Sequence, residues 1–368
     1  MEKTTVNLDG RSYPVYFGNN MSGQLPAHLK EKFPDRRFAF VTNATLAHLY
    51  KTTIAQWESE LAITKIIIPD GEKYKTLSTW ESVLDVMLGV RMDRSVVVLA
   101  FGGGVVGDIA GFAAACYLRG VNCVQIPTTL LAMVDSSVGG KTGVNHPSGK
   151  NLIGAFHQPS MVWIDTAFLG TLPSREFIAG YAEIFKCAFI GGMDMFSFVS
   201  STHTGMMTKK EDILAESIKR SVSIKAAVVE KDEREESGER AKLNFGHTFA
   251  HAVEKFYHFS GVLHGEAVLW SIACACDLGI RIKSVAEEDL EIYYTLLKRL
   301  PRVQLPSTPD TKKLYEGMLM DKKVSMGEIN FVLPAKPGSS VIKNDIARED
   351  VMATLEEVFK PKELGIDD

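Results

Sequence analysis

The chain has 368 residues, 45% of them hydrophobic and 23% charged, a globular make-up that excludes a disordered chain and a single small module. At about 100–200 residues per domain, the length predicts two domains. The formal net charge of -4 and pI near 6.2 exclude a bulk positive field for nucleic acid or an anionic membrane, so an anionic ligand must be caught locally.

Residues 1–13 carry no basic stretch followed by an apolar segment, so no secretory signal is expected there. No apolar run reaches the roughly 18–20 residues that span a bilayer. The expectation is a soluble, cytoplasmic protein without membrane or nucleic-acid partners. Its five cysteines, Cys116, Cys123, Cys187, Cys274 and Cys276, form no C-x-x-C pair and read as buried thiols rather than zinc or redox sites.

Residues 37–42, 65–69, 95–101, 122–126 and 161–165 are short β-branched runs that predict strands, with helical spacing over 76–89, 105–118 and 130–134 between them. Val96-Val97-Val98-Leu99-Ala100 is continuous rather than alternating, as in a strand buried on both faces of a largely parallel, Rossmann-like sheet. After Thr171-Leu172-Pro173-Ser174 the texture changes, and helical periodicity recurs over 177–189, 213–229, 248–257, 267–282 and 290–300. Only residues 327–334 interrupt it with a strand-like run. The predicted organisation is an α/β nucleotide-binding domain over 1–170 and a mainly α-helical domain over 171–368.

The strand at 95–101 runs into Gly102-Gly103-Gly104-Val105-Val106-Gly107-Asp108 and then a helix, which satisfies G-x-G-x-x-G in its strand–turn–helix context. Glycines let the backbone approach a pyrophosphate, and the helix N-terminus supplies donors. Two features depart from a standard Rossmann unit: the motif sits about a hundred residues into the chain, and the next strand ends at Gln125-Ile126-Pro127 without an acid for the ribose.

The stretch from Pro127 through Thr128-Thr129 and Asp135 to Gly139-Gly140-Lys141-Thr142 and Asn145 combines hydroxyls, a carboxylate and backbone amides beside a point charge, the combination an anionic group requires. Gly149-Lys150-Asn151 repeats it. In the second half, Tyr181-Ala182-Glu183-Ile184-Phe185-Lys186 places Glu183 and Lys186 three apart on one helical face. Farther on, Asn244-Phe245-Gly246-His247-Thr248-Phe249-Ala250-His251 sets two histidines at i and i+4, and Leu263-His264-Gly265-Glu266 follows. One Glu with two His suits a catalytic zinc or cobalt that keeps open positions. The i, i+4 spacing leaves open whether both neighbouring histidines bind one metal. Lys225, Arg240, Lys242 and Asp321-Lys322-Lys323 add cations for a substrate.

Read together, Pro69-Asp70-Gly71-Glu72-Lys73-Tyr74-Lys75, the glycine turn, Tyr117-Leu118-Arg119-Gly120, residues 127–145, 149–159, 179–186, 243–254 and 263–268 resemble, in order, the signature segments of the 3-dehydroquinate synthase family of sugar-phosphate cyclases. The resemblance implies a shikimate-pathway lyase that converts 3-deoxy-D-arabino-heptulosonate 7-phosphate into 3-dehydroquinate with NAD and one divalent metal, zinc or cobalt, as a homodimer. It assigns the metal to Glu183, His247 and His264, and NAD to Asn43, Asp70, Glu72, Lys75, Gly103, Gly104, Val105, Asp108, Thr128, Thr129, Lys141 and Lys150. Glu72 thereby becomes the ribose partner. It implies substrate contacts from Asp135, Lys141, Lys150, Asn151, Arg240 and Lys323, with Arg119 reaching the phosphate from a second subunit, and catalytic work by Lys141, Lys186, Lys225, Asn244 and His251. The nearest alternatives are another sugar-phosphate cyclase and a metal-dependent polyol dehydrogenase resembling glycerol dehydrogenase.

Overall fold

A computed structural model describes residues 1–319 and 329–360. The chain divides into two compact units, the first comprising Met1–Phe177 with Leu214–Arg234 and the second Ile178–Ile213 with the residues from Glu235 onward.

The first unit is built on strands β1 (Glu2–Val6), β2 (Tyr13–Gly18), β3 (Arg37–Asn43), β4 (Ala62–Ile68), β5 (Val97–Gly102), β6 (Asn122–Pro127), β7 (Lys141–His146), β8 (Gly149–Phe156) and β9 (Met161–Asp165). Seven of them form one sheet in the order β1-β2-β9-β6-β5-β3-β4, parallel apart from the β1–β2 pairing. Every residue of β5 is buried, because helices cover both faces. Successive side chains of a strand point to opposite faces. Ala39, Val41, Val98 and Ala100 therefore join Val83, Met87 and Ile109 in one apolar cluster. Phe40 and Phe101 turn the other way, their rings 5.7 Å apart, with Trp57 5.4 Å from Phe101.

From β3 the chain steps to β4 on one side, whereas β5, β6 and β9 lie on the other. The strand order thus reverses between β3 and β5, and the glycine turn follows β5, beside that switch point, where open α/β sheets bind ligands. This accounts for the late position of the motif: the unit's first parallel strand pair is not the one that carries the glycines.

Strands β7 and β8 pair with each other as a separate antiparallel hairpin. The hairpin packs on the Gly104–Cys116 helix, where a Cβ on Gly111 would lie 2.5 Å from the Thr142 side chain.

The second unit is helical, with Gly192–Met207, His247–Phe256, His264–Arg281, Leu290–Leu297, Thr311–Leu319 and Arg348–Val358. It also contains most of the Ser174–Cys187 helix. The stacked rings of Phe189 and Phe245, 4.5 Å apart, centre its core, and Tyr293 meets Phe196 edge-on at 5.5 Å. The strand expected over 327–334 is present as Phe331–Pro334, paired with Ser340–Lys343; residues 327 and 328 lie outside the described residues, as does Lys323.

The contiguous division expected at residue 170 differs from the two units in two respects, since the first unit runs on to Phe177 and residues 214–234 also fold with it. Polar contacts bind that segment there: Lys219 Nζ pairs with Glu2 at 2.5 Å, Glu230 accepts from the Asn7 amide at 2.6 Å, and Arg11 pairs with Glu233 at 2.7 Å.

Candidate active site

In the first unit the register places Gly102 opposite Pro127, Val41 opposite Ala100 and Asn43 opposite Ile68. The residues that follow these strands therefore share the carboxyl edge of the sheet: Asn43, Asp70, the Gly103-Gly104-Val105 turn and Thr128-Thr129. Thr128 donates its N–H to the Gly102 carbonyl at 3.0 Å. Gly103, Gly104 and Gly107 are closely packed, most tightly at Gly107. A Cβ would lie 3.0 Å from Thr129 Cγ2 at Gly103, 3.2 Å from Ser136 Oγ at Gly104 and 2.8 Å from Gln125 Oε1 at Gly107, so Gly107 serves the close helix–strand packing of a dinucleotide motif's third glycine. Asn43 Oδ1 accepts from the Leu46 N–H at 2.9 Å, capping a helix, and its Nδ2 donates to Asp70 at 3.0 Å, whose other oxygen accepts from Thr45 at 2.6 Å.

A polar network lies next in the same unit. Lys75, 5% exposed, donates to Asp108 Oδ2 and to Asn151 Oδ1, each at 2.5 Å. Asn145 donates to Glu72 at 2.7 Å and accepts from the Asn151 N–H at 2.9 Å, so Glu72, Lys75, Asp108, Asn145 and Asn151 are linked. Burial pushes the Asp108 carboxyl above the usual carboxylate range, against the pull of the Lys75 ammonium. Asp135 lies in the π-helical turn Ala132–Ser136, a form that recurs at functional sites, and Lys225 donates to its Oδ1 at 2.5 Å and its carbonyl at 2.7 Å. Lys141 opens β7 and is exposed, Lys150 is half-buried, and Arg119 is exposed in a turn whose residues Leu118, Arg119 and Gly120 all have positive φ.

The second unit holds the carboxylate and the histidines. Glu183 lies on the Ser174–Cys187 helix, His247 opens the His247–Phe256 helix and His264 opens the His264–Arg281 helix. Close approach of two of these helices rests on Gly265, where a Cβ would meet the Ala179 carbonyl oxygen at 1.9 Å. One ligand atom from each of Glu183, His247 and His264 lies within 4.8 Å of the others, the one such group among the described residues. Glu183 Oε1 is 3.8 Å from His247 Nε2 and 3.6 Å from His264 Nε2. It is buried and makes no hydrogen bond, a costly state for a carboxylate oxygen that a cation among the three residues would relieve. The donor set of one carboxylate and two imidazoles fits zinc or cobalt.

Without a cation, burial raises the Glu183 carboxyl, yet the charges of Lys186, His264 and His247 outweigh it and hold the carboxyl well below its usual range. Burial drives His247 well below the ordinary imidazole value, with the Lys186 charge adding to it. For His264 burial acts the same way, but Glu254 and Glu183 override it and lift the ring to about 10.

The His251 ring stands 5.8 Å from that of His247, outside the three-residue group. Lys186 pairs with Glu183 Oε2. Arg240 is buried, 3.8 Å from Glu235, and Asn244 is half-buried just before the His247–Phe256 helix. Lys242 pairs with Glu239 on the surface. Two residues without a role of their own in the sequence reading emerge here: Asn145, the junction of the Glu72 network, and Glu254, buried beside His264. Their signals were present, Asn145 at the end of the hydroxyl-rich stretch and Glu254 two helical turns beyond His247.

Residues 65–179 match the family model described as 3-dehydroquinate synthase N-terminal, and residues 180–324 that described as 3-dehydroquinate synthase C-terminal. A 3-dehydroquinate synthase of Pseudomonas aeruginosa is 44% identical over 357 residues, covering 96% of each chain. Among solved structures, a 2-epi-5-epi-valiolone synthase from Streptomyces hygroscopicus with NAD+ and Zn2+ bound is 28% identical with a TM-score of 0.84, covering 94% of this chain and 96% of its own. A 2-deoxy-scyllo-inosose synthase complexed with carbaglucose-6-phosphate, NAD+ and Co2+ shares the fold at 23% identity, with a TM-score of 0.87 over 97% of this chain and 100% of its own.

Proposed function

The chain belongs to the 3-dehydroquinate synthase family, and on that premise we propose that it converts 3-deoxy-D-arabino-heptulosonate 7-phosphate to 3-dehydroquinate and inorganic phosphate. The observation that carries the reading is the convergence of Glu183, His247 and His264 around an unsatisfied carboxylate oxygen, in a chain whose sheet also bears the glycine turn.

The reaction sequence is oxidation at C5, elimination of phosphate, re-reduction, ring opening and aldol closure. NAD, when bound, would supply a hydride acceptor and donor within one catalytic cycle, so the overall change would not be a redox one. A divalent zinc or cobalt held by Glu183, His247 and His264 supplies Lewis acidity toward substrate hydroxyls.

The chain's own residues do the rest. The amides of Gly103, Gly104 and Val105 and the hydroxyls of Thr128 and Thr129 receive the pyrophosphate side of NAD. Asn43, Asp70, Lys75, Asp108, Lys141 and Lys150 line the rest of the NAD site, with Glu72 as the ribose partner, and the bonds of Lys75 to Asp108 and Asn151 support this reading. Asp135, Lys150, Asn151 and Arg240 bind the substrate, and Lys141, Lys186, Lys225 and Asn244 orient its carboxylate and hydroxyls. Lys323 belongs to the same assignment. The substrate's own phosphate takes the proton during elimination, and His251 relays protons afterwards.

The reading extends to a homodimer in the cytoplasm, with Arg119 of one copy meeting the phosphate bound by the other. In support, Arg119 is exposed and held in a left-handed turn, and no helix among the described residues is long and apolar enough to cross a membrane.

Incubation of the purified protein with the heptulosonate phosphate tests the activity. Phosphate should be released only when both NAD and zinc or cobalt are present; release of none under those conditions would refute the reading.

A further inference from the structure

We infer that Glu254 is a positioning residue for the metal centre, a carboxylate that holds the His264 ring with its Nε2 turned toward Glu183 and His247. The inference rests on the metal site proposed above and adds a member to it that binds no metal itself.

The three ligands share one design. Each offers an inward atom to the centre and secures an outward one elsewhere. Glu183 turns Oε1 inward and pairs Oε2 with Lys186. His247 turns Nε2 inward, and its Nδ1 lies 3.1 Å from the Phe245 carbonyl. His264 turns Nε2 inward, 3.6 Å from Glu183 Oε1, and its Nδ1 lies 3.4 Å from Glu254 Oε1. A neutral imidazole has one donor nitrogen and one acceptor. An acceptor at Nδ1 fixes the proton there and leaves the Nε2 lone pair for a cation.

The two histidines differ in what stands behind them. His247 is backed by a neutral carbonyl, His264 by a carboxylate that is only 3% exposed. A buried carboxylate is costly unless its charge is answered, and the His264 imidazole 3.4 Å away is one group that answers it. Glu254 also lies two turns along the helix that His247 opens, so one rigid element presents a ligand and braces the ligand of another. Loops would hold neither as well.

Glu254→Ala removes both charge and acceptor, whereas Glu254→Gln keeps the size and an amide oxygen and removes only the charge. The zinc-loaded proteins are mixed with excess chelator and the first-order rate of zinc loss is followed, a quantity unaffected by protons competing for the empty site. Loss should be faster from the alanine variant, by up to the roughly 10–100-fold by which such supports change metal affinity, and intermediate from the glutamine variant. Cobalt bound to the glutamine variant at unchanged stoichiometry should show shifted visible absorption bands.

A purely structural role would lower the melting temperature of the metal-free protein and leave zinc loss and the cobalt spectrum unchanged, and that result overturns the inference. Should the alanine variant fail to fold, the glutamine variant decides alone. If the wild-type protein takes up no zinc or cobalt, the proposed metal site falls and the inference with it; wild-type uptake with unchanged variants refutes the role of Glu254 alone.

Discussion

At the scale of single residues, we propose different tasks for the two histidines of one helix turn, His247 and His251. Their i, i+4 spacing permits both to bind one metal, yet only His247 joins Glu183 and His264 in a group whose ligand atoms lie within 4.8 Å of one another. Three protein ligands leave positions open for substrate hydroxyls, which a fourth would block. His247→Ala should therefore lose most of its bound zinc or cobalt, whereas His251→Ala should keep the metal and lose turnover by the ~10²–10⁴-fold typical of a missing acid–base group. Metal content and turnover of the two purified variants decide this; a metal-free His251→Ala would reverse the roles. The donor types were visible in the sequence as one Glu and two His, but the choice of His247 over His251 came from the family resemblance, because the i, i+4 spacing leaves it open. Burial was not visible. Glu254 reads as one more charge on an amphipathic helix, and only packing shows that it is enclosed with its carboxylate toward His264.

At the scale of elements, the long buried strands and the strongly periodic helices were legible because their apolar pattern is set by two covered faces or by one stripe. The β7–β8 hairpin was not. Gly143 and Gly154 stand opposite each other in its register, and a Cβ on Gly154 would meet the Thr142 carbonyl oxygen at 2.0 Å. Its glycines answer to backbone proximity, a requirement that hydropathy does not record. The same kind of contact occurs beside the proposed metal ligands. His264 and Gly265 begin a helix of 18 residues, and the space for a side chain at Gly265 is already taken by the Ala179 carbonyl, one turn before Glu183. Backbone atoms cannot swing aside as side chains do. Gly265→Ala should push that helix start away from Glu183, costing about 1–3 kcal/mol of stability as overpacking does and most of the metal affinity. Thermal melting and zinc titration of the folded variant check both effects, and wild-type zinc affinity at Gly265→Ala would show that this approach does not set the ligand spacing.

At the scale of the whole molecule, the order of segments along the chain was a good guide to what the two units contain and a poor guide to their borders. Lys225 sits in a helical stretch that the sequence assigns to the second half, but its Nζ reaches Asp135 at 2.5 Å across 90 residues of chain, within the first unit. No local pattern announces so distant a pairing. What the molecule as a whole must do is sharper than its borders. Residues assigned to NAD all belong to the first unit and those assigned to the metal to the second, an equipment that a polyol dehydrogenase also needs. The difference lies in the fate of the hydride. A dehydrogenase releases NADH with each product, whereas a cyclase that oxidises C5 only to acidify the neighbouring C–H and expel phosphate must return the hydride before the product leaves. NAD supplied at about the concentration of enzyme should therefore sustain many turnovers, with phosphate released far in excess of NAD and without net gain of nicotinamide absorbance. Accumulation of one NADH per phosphate released would mean that the hydride does not return, and the cyclase reading would give way to the dehydrogenase one.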